Sequence, residues 1–257
     1  MKLERRYVEK PWGRTELPPI FDAPVGTRIG EVWFTGAGEQ PLLVKYLFTS
    51  ERLSIQVHPN HDQARARGLP SGKNECWTIL DAEPDAKLAL GLKHEVSADE
   101  LRSAALDGSI EELMDWRPVR AGDFFMVPAG TIHAVGAKIS LLEFQQNSDV
   151  TYRLYDYGRP RELHLDDGVA VSRPEPYSDE LAQHLTGDEE RTLVDGPHFT
   201  LVHTKEDALQ NRQRWVMPLE GTVRSGGDVA AAGECLLVKA EETFTCDSGR
   251  MLIGAKA

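Results

Sequence analysis

LSIQVHPNHDQARARGLPSGKNECWTIL, residues 53–80, holds two strand-like runs that put polar side chains where apolar ones are expected. Alternation over the first run places Gln56 and His58 on one face and Ile55 and Val57 on the other. The second run sets Lys73, Glu75 and Trp77 against Asn74, Cys76 and Thr78. A half-buried strand turns its apolar side to the core. If both faces are enclosed, the polar face lines a cavity, and the residue types name what the cavity holds.

Outward from this stretch, more strand-like runs follow: LLVKYLF (42–48), DFFMVP (123–128) and ISLLEFQQ (139–146). They are rich in Val, Ile, Leu and Phe and bounded by Gly or Pro, as in an all-β sandwich or barrel. One helical insertion near 97–116 interrupts them. SADE (97–100) reads as a capping box with Ser97 at the cap, and Leu101, Ala104, Ala105, Leu113 and Trp116 recur at roughly helical spacing. Gly108 is expected to split this run, and a shorter helix is expected over 61–67. The polar, acidic stretch 172–191 reads as a linker between a first barrel (1–171) and a smaller second β-domain (192–257). GDFFMVPAGTIH (122–133) and GECLLVKAEETF (233–244) share a frame, which suggests a repeated barrel unit. The first copy ends on His133 and the second on Phe244, so the second is expected to lack the polar ligand.

A chain of 257 residues can bury a substantial core, in one large domain or two small ones. A net charge of −12 argues against nucleic acid or an anionic membrane as the main partner, but a local cluster of Arg and Lys can still receive a small anion. No apolar run reaches membrane-spanning length, and MKLERRYVEKPWG is too polar for a signal-peptide core. The three cysteines lack any Cys-x-x-Cys spacing and read as reduced thiols, which makes a cytoplasmic protein the expectation.

Four side chains carry the chemistry: Gln56, His58, Glu75 and His133. Two histidines and a carboxylate bind a divalent metal and leave room for water or substrate, and Gln56 adds a neutral oxygen. Each histidine taken alone reads as well as a loop residue. As a set they gain weight from the segment Gly122, Pro128, Gly130, His133, whose spacing resembles the second signature of the cupin barrels. Ala137 stands where that signature has Asn, and Gln56 with His58 replaces the His-x-His of the first signature. KPWG (10–13), GEVW (30–33), LSIQVHP (53–59), GKNECW (72–77), VPAGTIHA (127–134) and QQNSDVTYRLYDYGR (145–159) resemble, in order, the type I phosphomannose isomerases in their short bacterial form.

The resemblance implies a cupin-type jelly-roll barrel followed by a smaller degenerate one. It also implies one Zn²⁺ per chain on Gln56, His58, Glu75 and His133, and interconversion of mannose 6-phosphate and fructose 6-phosphate through a cis-enediolate. Arg153 falls on the family's active-site arginine, Glu143 on a carboxylate of the same pocket, and Lys73 on the lysine two before the ligand Glu. The catalytic base stays open between Lys73, the first choice, and Glu143. Arg159 is expected either to help hold the substrate phosphate or to pair with Asp156. Two other readings of the ligand set stand beside this one: an Fe-dependent cupin oxygenase and a non-catalytic sugar-sensing cupin. Cys76 is expected to point away from the metal, Trp12, Trp33 and Trp77 to be core or cavity wall, and the remaining histidines to be structural or on the surface.

Overall fold

The computed structural model describes residues 1–257 except 37, 39 and 188. Two antiparallel sheets face each other in the N-terminal part. The larger has seven strands in the order Glu4–Arg14, Ile29–Thr35, Leu42–Phe48, Ile139–Gln146, Glu75–Ala82, Asp123–Val127 and Ala182–His184. The smaller has five, in the order Tyr152–Tyr155, Ile55–Val57, His133–Val135, Lys87–Leu92 and Met114–Pro118. This is an all-β, cupin-type fold with helical insertions.

Register explains why one interior is both core and site. On the inner face of the larger sheet, Leu47, Leu141 and Ile79 are cross-strand partners. They pack with Leu88, Leu90 and Val135 of the smaller sheet as an apolar floor. Two residues along, the same face carries Lys45, Glu143 and Trp77 as partners, and two further on Gln145 opposite Glu75. Because side chains alternate with period two, these rows share a face. The interior therefore grades from apolar to charged along the strands.

The outer faces are covered as well. Ile55 and Val57 pack beneath the helical insertion, against Leu101, Ala104 and Val171. Val44, Tyr46, Phe144 and Cys76 on the back of the larger sheet pack against Phe199, Leu201, Trp215 and Leu252 of the C-terminal part. Both faces of the opening stretch are thus enclosed, and its polar side is the cavity side.

Helix Ala98–Asp107 starts at Ser97, whose side chain accepts the Glu100 N–H, and ends at Gly108 before the short helix Ile110–Leu113. Trp116 departs from the expected helical repeat. Met114 turns extended, and Met114–Pro118 pairs with Lys87–Leu92, which places Trp116 on a strand. Helix His61–Ala66 has a full capping box between Asn60 and Gln63. The stretch 172–191 carries strand Ala182–His184, paired with Asp123–Val127.

The C-terminal part has a five-stranded sheet (Arg191–Asp195, Phe199–Thr204, Met251–Lys256, Arg214–Pro218, Leu236–Val238) and a three-stranded one (Asp228–Ala231, Thr222–Ser225, Thr245–Ser248). Its interior is a cluster containing Val202, Val216, Val223, Leu236, Phe244, Met251 and Ile253. Among the described residues no helix is long and apolar enough to cross a membrane.

Candidate metal centre

Gln56 pairs in register with His133 on one side and Arg153 on the other, so the smaller sheet presents a polar row toward the larger one. His58 follows directly after that strand. Glu75 opens its own strand on the opposing sheet. One ligand atom from each of His58, Glu75 and His133 lies within 4.8 Å of the other two, and all three residues are buried. Glu75 Oε1 is 3.5 Å from His58 Nε2 and 3.3 Å from His133 Nε2.

The hydrogen bonds behind the imidazoles fix what those contacts are. His58 Nδ1 lies 2.8 Å from the Val150 carbonyl and His133 Nδ1 2.9 Å from the Thr131 carbonyl. A carbonyl only accepts, so each Nδ1 carries the hydrogen and each Nε2 keeps its lone pair. Burial, with Lys73 adding to it, pushes His58 down to about 3. Burial also lowers His133, so both rings are neutral near pH 7. Two lone pairs then face a carboxylate oxygen that has no hydrogen-bond donor among the described residues. Acceptors converging on acceptors repel unless a cation or N–H donors sit among them; the Lys73 ammonium and the Gln56 amide reach this point, and two neutral imidazoles with a carboxylate are also a divalent-metal donor set. The donor set fits such an ion. The Gln56 amide also reaches this point, with Nε2 3.2 Å from His133 Nε2 and Oε1 accepting from Ser54 Oγ at 3.1 Å.

Lys73 stands at the same spot, 2.8 Å from Glu75 Oε2 and 3.1 Å from His58 Nε2. Gly72 makes this approach feasible, because a Cβ there would meet the Asn60 backbone carbon at 2.4 Å. Burial alone would lower the Lys73 pKa, but Glu75 and Glu143 more than offset it and hold it above the ordinary lysine value. Burial opposes the Glu75 charge too, yet the Lys73 ammonium beside it holds its carboxyl well below the usual range. Glu143 goes the other way: burial raises it, and Lys73 and Lys45 only partly compensate.

Above these residues opens a small cleft of about 60 Å³ lined by five cationic side chains, Lys10, Lys45, Lys73, Arg153 and Arg161, against Glu31, Glu143 and Asp149. Larger clefts, about 700 and 370 Å³, border the C-terminal part and, unlike the small one, are lined by none of Gln56, Lys73 or Glu143. Size would select those; the chemistry selects the small one. Its cationic excess sits on a chain of net charge −12, so it is a local feature suited to a small anion.

Arg159, the expected phosphate residue, lies outside this cleft. Its Nη2 is 2.9 Å from Asp156 Oδ1 and donates to the Arg52 carbonyl at 2.7 Å, which is the pairing alternative. The turn at 156–158 swings it outward and leaves Arg161 lining the cleft. Lys45 escaped the sequence reading, although a lysine at the centre of LLVKYLF was a visible signal. It is 3% exposed, 3.3 Å from Glu143 Oε1 and 4.5 Å above the Trp33 ring. Half-buried Lys10 pairs with buried Glu31 at 3.3 Å, and the Trp33 indole donates to Glu31. Trp77 donates to Glu143 Oε2 and stands edge-on to His133, while Cys76 faces the outer core. His61 and His94 are exposed, and His203 is buried against the Glu189 carbonyl.

No family model matches the chain. Among curated proteins it is 45% identical over 175 aligned positions to mannose-6-phosphate isomerase ManA of Bacillus subtilis, covering 63% of this chain and 54% of that protein. It is 42% identical over 211 aligned positions to the probable mannose-6-phosphate isomerase GmuF of the same organism, covering 66% and 67%. The chain spans about half the length of most curated relatives it matches, 53–54% in three of four. In three dimensions it resembles the mannose 6-phosphate isomerase of Bacillus subtilis with a TM-score of 0.82 at 27% identity, over 98% of both chains. A zinc-bound mannose 6-phosphate isomerase shares the fold with a TM-score of 0.71 at 16% identity, over 99% of this chain and 98% of that one. By the match to GmuF and the fold shared along the whole length, the chain belongs to the mannose-6-phosphate isomerase family.

Proposed function

We infer that the chain is a zinc-dependent aldose–ketose isomerase that interconverts mannose 6-phosphate and fructose 6-phosphate. One observation carries the reading: two imidazole lone pairs and the Glu75 carboxylate converge beneath a cleft of cationic side chains. The activity named for the relatives supports the substrate, and the zinc-bound fold neighbour together with the nitrogen and oxygen donors supports the metal. The free thiols Cys76, Cys235 and Cys246 support a cytoplasmic setting.

His58, Glu75 and His133 would hold the ion, with the Gln56 oxygen as a fourth donor after a half-turn of its amide. When bound, the ion supplies Lewis-acid polarisation of the sugar oxygens. The chain's own residues do the rest. Interconversion moves a proton between C2 and C1 through a cis-enediolate, which needs a base over the carbon chain and donors for the developing oxyanion. Glu143, raised by burial toward the range in which a general base works, takes the proton. Lys73 Nζ, 2.8 Å from Glu75 Oε2 and 3.9 Å from Glu143 Oε1, is placed to donate to a sugar oxygen. This reverses the order the sequence suggested. Arg153, in register with Gln56, offers its guanidinium to the same oxyanion. A fourth donor leaves fewer open positions than an oxygenase needs, and the set of Lys73, Glu143 and Arg153 argues for catalysis rather than binding alone.

A coupled assay with mannose 6-phosphate tests the reading. Turnover that disappears with a chelator and returns with Zn²⁺ is the expected result. Saturable binding without turnover would favour the sensing protein, and turnover indifferent to chelation would remove the metal.

A further inference from the structure

Resting on that isomerase reading, we propose that Arg161 anchors the substrate phosphate and that buried Asp156 is the positioning residue that aims it. Asp156 is 2% exposed, and its carboxylate is the hub of the turn 156–161. Arg161 grips it with two bonds, Nε to Oδ2 at 2.5 Å and Nη2 to Oδ1 at 2.6 Å. Arg159 takes what remains of Oδ1 and leans away to the Arg52 carbonyl. One carboxylate thus orients two guanidinium groups in different directions, and Arg161 is the one that lines the cleft.

The turn is pre-set. Tyr157 adopts a left-handed φ of 54°, uncommon for a side chain of its size, with Gly158 following at 78°. The Tyr157 ring is held between Arg52, 4.3 Å from its centroid, and Arg159, 5.5 Å from it. Beyond the turn, the His164 N–H donates to the Arg153 carbonyl at 2.8 Å, which lays the returning chain beside strand Tyr152–Tyr155. Arg161 therefore stands next to Arg153, and the proximity lowers the Arg153 pKa after burial has done so. Two guanidinium groups lining one cleft repel one another, and an anion between them relieves the repulsion. Asp156 occupies Nε and Nη2 of Arg161; among the described residues nothing is bonded to its Nη1. Arg153 is in register with Gln56 of the ligand row, and Arg161 lines the same cleft.

Calorimetric titration with inorganic phosphate tests the assignment without needing turnover. Arg161→Ala should weaken phosphate binding about 10- to 100-fold, the worth of hydrogen bonds to a charged group. Arg161→Lys should recover part of that loss, because a point charge replaces the fork. Arg159→Ala should leave phosphate affinity unchanged. Asp156→Asn should weaken phosphate with metal content retained, and Arg161→Ala, at a site 23% exposed, decides the matter if the buried variant does not fold. In the isomerase assay Arg161→Ala should raise KM for mannose 6-phosphate with kcat within about threefold, the signature of uniform binding. Equal phosphate affinity in wild type and Arg161→Ala, loss in Arg159→Ala instead, or no phosphate binding by the wild type would each overturn the proposal. Phosphate binding through Arg161 without any turnover would sink the isomerase reading and leave this assignment standing.

Discussion

The stretches 122–133 and 233–244 begin alike and end in opposite chemistry. Gly122 and Gly233 both turn the chain with positive φ, 90° and 82°, and each leads into a buried strand. The first then delivers His133 to Glu75 and His58. The second delivers Phe244 into an apolar cluster with Val216, Met251 and Ile253. The same frame thus accommodates a charged interior or an oily one. A hydrocarbon interior is stable by itself, whereas buried charges need partners, which is why Lys45, Lys73, Glu75 and Glu143 interlock in the first half.

The largest effects should come from breaking the charged interior. Glu75→Gln should abolish metal retention and cut kcat by about 10²–10³-fold or more. By leaving Lys73 short of its nearest counter-charge, it should also cost about 3–5 kcal/mol of stability. Metal analysis, steady-state kinetics and denaturant unfolding read these separately. The matching change in the second half, Phe244→Ala, should cost about 3–5 kcal/mol through the cavity it leaves, with metal content and kcat unchanged. Loss of metal in Phe244→Ala would mean that the halves are not independent in the way the comparison requires.

Acid should distinguish the halves as well. His58 titrates at about 3 in the fold against 6.5 ordinarily, and His133 is also lowered. A histidine buried neutral binds fewer protons folded than unfolded, so its contribution is intact above about 6.5 and is lost as pH falls toward its folded value. Glu75, held low, adds a further loss below the ordinary carboxylate range. Chelated protein should therefore lose stability progressively from about pH 6.5 downward, measured as thermal unfolding against pH. A flat profile between pH 6.5 and 5 would show the imidazoles to be charged or exposed. The smallest effect is expected at Cys76, which adjoins Glu75 but faces the outer core. Cys76→Ala should leave metal stoichiometry at the wild-type value and lower stability by about 1–2 kcal/mol.

Much of this was legible because strand alternation is a local rule. LLVKYLF and ISLLEFQQ have the boundaries read from sequence, and polar residues two apart on a strand had to share a face. Ser97 capped its helix for the same local reason. What escaped depended on partners distant in the chain. Lys45 passed as part of an apolar run because its counter-charge, Glu143, arrives from nearly a hundred residues away. Arg159 and Arg161 were separable only by the left-handed turn at Tyr157. Strand Ala182–His184 lies in a polar, proline-marked stretch and is specified by the edge it joins rather than by its own pattern. Trp116 fitted a helical repeat until pairing with Lys87–Leu92 pulled it into a strand. Met114 φ and ψ of −64° and 139° mark the switch.

The most direct test is to titrate exhaustively chelated protein with Zn²⁺ while following mannose 6-phosphate isomerisation. Activity should start from zero and rise linearly to a plateau at one equivalent per chain, and His133→Ala should stay inactive throughout. Turnover before any metal is added, or an active His133→Ala, would contradict a catalytic centre built on His58, Glu75 and His133.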